Sequence, residues 1–188
     1  SLTMALDTLA GHPNVGPFIA IRLIQRLVTS NPSPAYVERV AQVFNDDGTG
    51  ERGDLGAVVK AILLDPEARP GTPSEASGKM KEPLLRVTQL WRAYDAKSES
   101  GRYPLVESFI IFGQGPLQSP SVFNFFSPFY APPGEIRDAG LVAPELQIAT
   151  EYQNTLVTNF MLFQTFGLNH TNQDLGPDDV YIDISEEI

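Results

Sequence analysis

Cysteine is absent from the 188 residues, which excludes disulfide staples, thiolate metal centres and a cysteine nucleophile. Histidine is almost absent. His12 and His170 have no histidine neighbour and no ligand spacing, so the pattern builds no zinc site. Basic residues are few and scattered: 13 Lys and Arg against 23 Asp and Glu give a formal net charge of −10 and a pI near 4.5. Nucleic acids and anionic membrane surfaces both require a concentrated basic face, so neither is expected as a partner. No stretch approaches the roughly eighteen consecutive apolar residues of a membrane span, so no membrane insertion is expected. A signal-peptide pattern, a G-x-S-x-G elbow, a P-loop and a G-x-G-x-x-G turn are all missing. Nothing in the sequence calls for a cofactor.

What is present is helical rhythm. Thr3 to Leu9 reads as the end of a helix stopped by Gly11 and Pro13. The chain starts at Ser1 already in this rhythm and without an initiating Met, which points to a segment of a longer protein. From Asn14 to Thr29, Val15, Phe18, Ile19, Leu23, Ile24 and Leu27 trace a wide stripe, with Arg22, Gln25 and Arg26 on the wet side. Such a width predicts a helix buried over most of its circumference. Ser33 is placed to cap the next helix, with Pro34 at its first position and Tyr36, Val37, Val40 and Phe44 facing inward. A third helix begins near Asp54 and carries Val58, Val59, Ile62 and Leu63; the following Ala68–Lys79 stretch has linker composition. Glu82 to Ala96 repeats Leu84, Val87, Trp91 and Tyr94 at helical spacing. Leu105 to Phe112 is ambiguous between helix and strand. Pro144 is expected to open a long helix reaching Phe166. Val180, Ile182 and Ile184 alternate in an acidic tail, as an edge strand or a disordered end would.

The centre of the chain is different. Between Gly113 and Gly134 the sequence packs Phe123, Phe125, Phe126, Phe129 and Tyr130 among Pro116, Pro120, Pro128, Pro132 and Pro133. Each proline fixes φ and removes a backbone donor, which rules out a regular helix or central strand. Each ring has about 150–250 Å² to bury, so the loop is expected to be ordered, wedged between the Glu82–Ala96 and Pro144–Phe166 helices. Its rings either plug the gap between helices or form an exposed platform. In the second case the candidate binding surface comprises Phe125, Phe129 and Tyr130, with Asn124 and Glu145 orienting a partner.

Other candidates carry less. Asn45–Glu51 resembles a calcium loop, because hard cations want clustered oxygens and a glycine turn. An EF-hand frame started at Asn45 reaches Gly56 where a bidentate glutamate should stand. Asp46, Asp47 and Asp54 therefore remain only weak calcium candidates, and no metal site is assigned. Arg52-Gly53-Asp54 spells a cell-attachment tripeptide, but Asp54 sits where a helix start wants an acid. Glu107, Glu145 and Glu151 supply carboxylates in number, without the fixed separation that glycoside hydrolysis requires.

HPNVGPFIAIRLIQRLVTSNPSPAYVERVAQVF, RGDLGAVVKAILLDPEAR and QSPSVFNFFSPFYAPPG with LVAPELQI, in that order, resemble the C-terminal half of the bacterial "domain of unknown function 1800" family. The likeness runs from about Ala5 to Phe163. It implies an extracytoplasmic (periplasmic or secreted) bacterial protein, an exported protein partner, and contact with an N-terminal half of the same chain. It carries no catalytic residues over.

The expectation is thus an all-α, irregular domain of about six helices spanning residues 1–170, with a long ordered Pro- and aromatic-rich loop and an acidic tail over 171–188. Its expected role is a non-enzymatic interaction or scaffold domain. The alternatives are part of a hydrolase acting on an extracellular polymer, and a saccharide- or calcium-binding module.

Overall fold

The computed structural model describes residues 1–74, 76–105, 107–167, 176–182 and 184. Among them are eight α-helices and no sheet, only two isolated bridges. His170, Asp174, Asp183, Glu186 and Glu187 lie outside the described residues. Two compact units divide the chain: Ser1–Lys79 with Ala131–Ala143, and Met80–Tyr130 with Pro144–Ile188.

The first unit is built on α1 (Leu2–Ala10), α2 (Val15–Leu27), α3 (Pro34–Asn45) and α4 (Leu55–Leu64), with a short α7 (Glu135–Asp138) from the later segment. Its caps are those expected. Ser33 Oγ accepts from Tyr36 N with Pro34 at the first position, and Asp54 accepts from Gly56 N and Ala57 N. Small residues bring α2 onto α3. A Cβ on Gly16 would stand 3.2 Å from Asn45 Oδ1 and 3.3 Å from the Ala41 carbonyl, so a larger residue there would press the two helices apart by a few tenths of an ångström. The core collects Ala20, Ile24, Tyr36, Val40, Phe44, Val58 and Ile62, each large apolar side chain adding about 1.5–3 kcal/mol when fully buried. The Tyr36 hydroxyl, sealed inside, donates to the Ile62 carbonyl at 2.6 Å.

The wide stripe on α2 is narrower in the fold than its spacing predicts. Phe18 and Leu27 are exposed, and Gln25, on the expected wet side, is buried. Gln25 is accommodated because both ends of its amide are bonded: Nε2 donates to the Ser30 carbonyl and Oε1 accepts from Arg22. The Ala68–Lys79 segment, a linker by composition, is tied down at its far end, where the Gly78 carbonyl accepts from Ser30 N and Thr29 Oγ1. Asn31 clamps the later segment, donating to the Val142 carbonyl and accepting from Val142 N, both at 2.9 Å.

The second unit contains α5 (Pro83–Ala93), α6 (Ser108–Phe112) and α8 (Glu151–Leu162), followed by a π-helical turn over Phe163–Gly167. Its core holds Val87, Trp91, Phe112, Val157, Val180 and Ile182. Phe112 meets Phe160 edge-on at 5.2 Å, and Trp91 Nε1 donates to Gln164 Oε1. The long helix expected from Pro144 to Phe166 is broken. Pro144–Gln147 forms a 3₁₀ turn that closes when Ile148 N and Ala149 N both donate to the Glu145 carbonyl. Thr150, extended at φ −67° and ψ 166°, then caps α8 through Gln153 N. Threonine competes for backbone groups and so favours a cap over a helix interior, which the apolar spacing alone does not reveal.

The C-terminal segment is anchored as well. Lys97 and Tyr181 exchange two backbone hydrogen bonds at 3.0 Å, and Ser100 N donates to the Pro177 carbonyl. Val180 and Ile182 are buried while Asp178 and Asp179 stay in solvent. Alternation there places every second side chain in the core, as one strand of a ladder would, without a sheet.

Candidate functional site

The loop from Gly113 to Tyr130 lies in the second unit. Its five rings separate into inner and outer sets. Phe126 is 3% exposed and anchors the loop, Phe125 and Tyr130 are half-buried, and Phe123 and Phe129 stand 57% and 65% exposed. Leu117 and Val122 project fully into solvent on the same segment. The helix leading into it, α6, exposes Phe109 and Ile110.

Local hydrogen bonds hold this apolar display in shape. Ser119 Oγ donates to the Ser121 carbonyl, Ser121 Oγ accepts from Phe123 N, and the Ser121 carbonyl also accepts from Asn124 N. Ser127 N donates to Gln147 Oε1 at 2.7 Å, tying the loop to the 3₁₀ turn before α8. Gln153 Nε2 reaches the Ile110 carbonyl from α8. Two non-glycine residues adopt left-handed backbone, Leu117 at φ 59° and Asn124 at φ 70°. Asparagine tolerates that conformation through its short polar side chain, whereas a leucine there costs about 1–2 kcal/mol.

Asn124 therefore serves the loop through its backbone angle. It is half-buried, and its amide bonds to none of the described residues. Glu145 is placed differently from the sequence expectation. It is 1% exposed, the acidic residue in the first turn of the 3₁₀ segment, so it is not a group on the exposed surface. Of the five candidate surface residues, Phe129 is open, Phe125, Tyr130 and Asn124 border the surface, and Glu145 lies beneath it.

Gln114 stands between Gly113 and Gly115, and nothing in its neighbourhood marks it as a candidate. It is 2% exposed and works as a remote cap: Oε1 accepts from Leu84 N in the first turn of α5, and Nε2 donates to Glu82 Oε2 at 2.6 Å. A partner thirty residues away leaves no local signal.

The calcium candidates are turned onto their own backbone. Asp46 Oδ1 accepts from Gly48 N and Gly50 N, Asp47 Oδ1 accepts from Thr49 N and Glu51 N, and Asp54 caps α4. These bonds, those from Thr49 first, hold the Asp47 carboxyl below its ordinary range. Among the described residues no three His, Asp or Glu side chains converge as a metal cluster would. Arg52 of the tripeptide points into its own unit, donating to the Ala10 and His12 carbonyls and to Asn45 Oδ1, with its guanidinium 5.1 Å from the Phe44 ring centroid. Glu107 and Glu151 are exposed and Glu145 is buried.

A further polar site went unseen in the sequence. Arg39 grips Asp65 with two bonds of 2.8 Å and Glu67 with one of 2.9 Å, and Ser33 Oγ donates to the same Glu67 oxygen at 2.7 Å. The hydrogen bond from Arg39 leads in holding the Asp65 carboxyl below its usual value.

Among the described residues no helix is long and apolar enough to cross a membrane. No curated protein and no solved structure matches the chain. The model of one family, described as a protein of unknown function, DUF1800, matches residues 1–178. That match takes in Asp178, well beyond the Phe163 limit of the resemblance read from the sequence, and with all but the last ten residues covered the chain belongs to the DUF1800 family.

Proposed function

We propose that the chain is a non-enzymatic interaction or scaffold domain of a larger exported bacterial protein, and that the Gly113–Tyr130 loop is its contact surface for an exported protein partner. One observation carries this reading: Leu117, Val122, Phe123 and Phe129 project from a loop whose backbone is hydrogen-bonded in place and whose Phe126 is sunk into the unit. Rigid aromatic anchors bind with little ordering cost, which is why rings dominate interface energetics. Exposed apolar side chains clustered on one segment are also uncommon where nothing covers them. The hydrolase reading has less support, since two of its candidate carboxylates stand in open solvent and the third is buried.

The test is titration calorimetry of the chain against the exported protein partner and against the N-terminal half that the resemblance implies. Binding that weakens at least roughly tenfold in Phe129→Ser, as expected for an interface anchor, supports the reading. Binding equal in the parent, Phe129→Ser and Phe123→Ser refutes the assignment of this loop, and silence toward both partners refutes the role.

A further inference from the structure

The first unit contains a pocket of about 510 Å³, within the roughly 300–1,000 Å³ typical of small-molecule sites. It forms where residues 70–74 and 76–78 lie beside the start of α3. Both flanks are held. The Gly78 carbonyl accepts from Ser30 N and Thr29 Oγ1, and Ala68 N donates to the Asp65 carbonyl. Val28, Ala68, Pro70 and Pro73 give it apolar walls, and Thr29, Ser33, Thr72 and Ser74 supply hydroxyls.

Among the described residues one charged group lines it, Glu67. Its Oε1 is fully used, accepting from Ser33 Oγ and Arg39 Nη2. No described side chain bonds to Oε2, the Ser33 backbone N–H adds a weaker pull on the carboxylate, and the side chain is 39% exposed. Asp65 spends both oxygens on Arg39 and the Glu67 backbone N. Arg39 therefore offsets one of two carboxylates, which leaves, among the described residues, one negative charge with an oxygen open to solvent on the pocket wall. Burial pulls the Glu67 carboxyl upward, but the bonds from Ser33 and Arg39 outweigh it and hold the group below its ordinary value.

We infer that this pocket binds a small organic cation, a primary ammonium on a compact hydroxylated or aliphatic body, with the ammonium on Glu67 Oε2. An ammonium supplies donors to Oε2, and a charge-assisted bond of this kind exceeds a neutral one. The ligand body meets proline and alanine faces, and its hydroxyls or remaining N–H groups meet Thr72 and Ser74. The overall charge of −10 favours the approach of cations. The pocket lies wholly in the first unit, so this inference stands or falls apart from the loop of the second.

The experiment is titration calorimetry of the whole chain with cadaverine, glucosamine and glucose. Both amines are expected to bind and glucose is not. Glu67→Gln removes the charge and is expected to weaken the amines at least roughly tenfold. Because that change also touches Arg39 and Ser33, a second variant, Thr72→Lys, sets a competing ammonium at an exposed position without disturbing the Arg39 network, and the same loss is expected. Circular dichroism confirms that it keeps its fold. Absence of amine binding by the parent chain, equal binding of glucose, or amine binding retained in Thr72→Lys each overturns the inference.

Discussion

Phe126 and Phe129 are three positions apart in one loop, and the fold assigns them opposite work. With Phe126 at 3% exposure and Phe129 at 65%, truncation separates an anchor from a displayed ring. Full burial of a phenylalanine side chain is worth about 1.5–3 kcal/mol. Phe126→Ala is therefore expected to cost about 3–5 kcal/mol once the cavity is included. Phe129→Ala, with about a third of the ring covered, is expected to cost about 1 kcal/mol. Trp91 is the sole tryptophan and sits in the core of the second unit, so its emission during urea unfolding reports on the unit that carries the loop. With a slope of about 1–3 kcal/mol/M, Phe126→Ala lowers the midpoint by about 1 M or more, and Phe129→Ala by about a third as much. Partner binding should follow the reverse order once unfolding is corrected for. Equal midpoint shifts would falsify the division: Phe129 would then be packed in solution, and the contact surface would be lost with it.

Three more outcomes follow from the same geometry. Burial first, and then the nearby Asp65 and Glu67 carboxylates, push the Tyr36 hydroxyl up to about 12. The fold thus favours the neutral phenol. That contribution is complete below the unfolded value of 10.0 and is lost as pH rises toward 12. Alkaline melts followed by circular dichroism should fall off in this window, and Tyr36→Phe should remove the dependence while costing about 1 kcal/mol at neutral pH. Asp65 and Glu67 have folded values below their ordinary 3.8 and 4.5, so their contribution is complete above those values and is lost as pH falls through the lower folded ones. Acid melts of Arg39→Met should show a flatter dependence than the parent chain. Ile182→Ala should cost about 2–5 kcal/mol and move the Trp91 urea transition, because Ile182 is fully buried beyond the last residue of the family match. An unmoved transition would mean that the segment does not dock in solution.

Much of the helical framework could be read from neighbours along the chain. Ser33 with Pro34, and Asp54 ahead of Leu55, announce helix starts by local hydrogen bonding and fixed φ, and both cap as expected. The ambiguous Leu105–Phe112 run resolved into a five-residue helix, Ser108–Phe112, bounded by left-handed Glu107 and Gly113. The candidate surface was legible in part. Aromatic density marked the loop, but identical rings at Phe123, Phe126 and Phe129 gave no hint of which would be inside. Gln25 was expected on the wet side and Glu145 at the surface because a polar side chain announces its chemistry, while its burial depends on how the face that carries it packs.

By itself, then, the order of residues determined that the chain is helical, where its caps fall, that cysteine chemistry is excluded, and that an aromatic, proline-broken loop interrupts the helices. These properties depend on contacts within about one helical turn. Only tertiary structure decided which rings face solvent, that Gln114 caps α5 from thirty residues away, that Val180 and Ile182 belong to a core, and that Arg39 draws Asp65 and Glu67 together beside a pocket. Each of these rests on residues far apart in sequence, and their meeting is set by how whole faces pack rather than by any local preference.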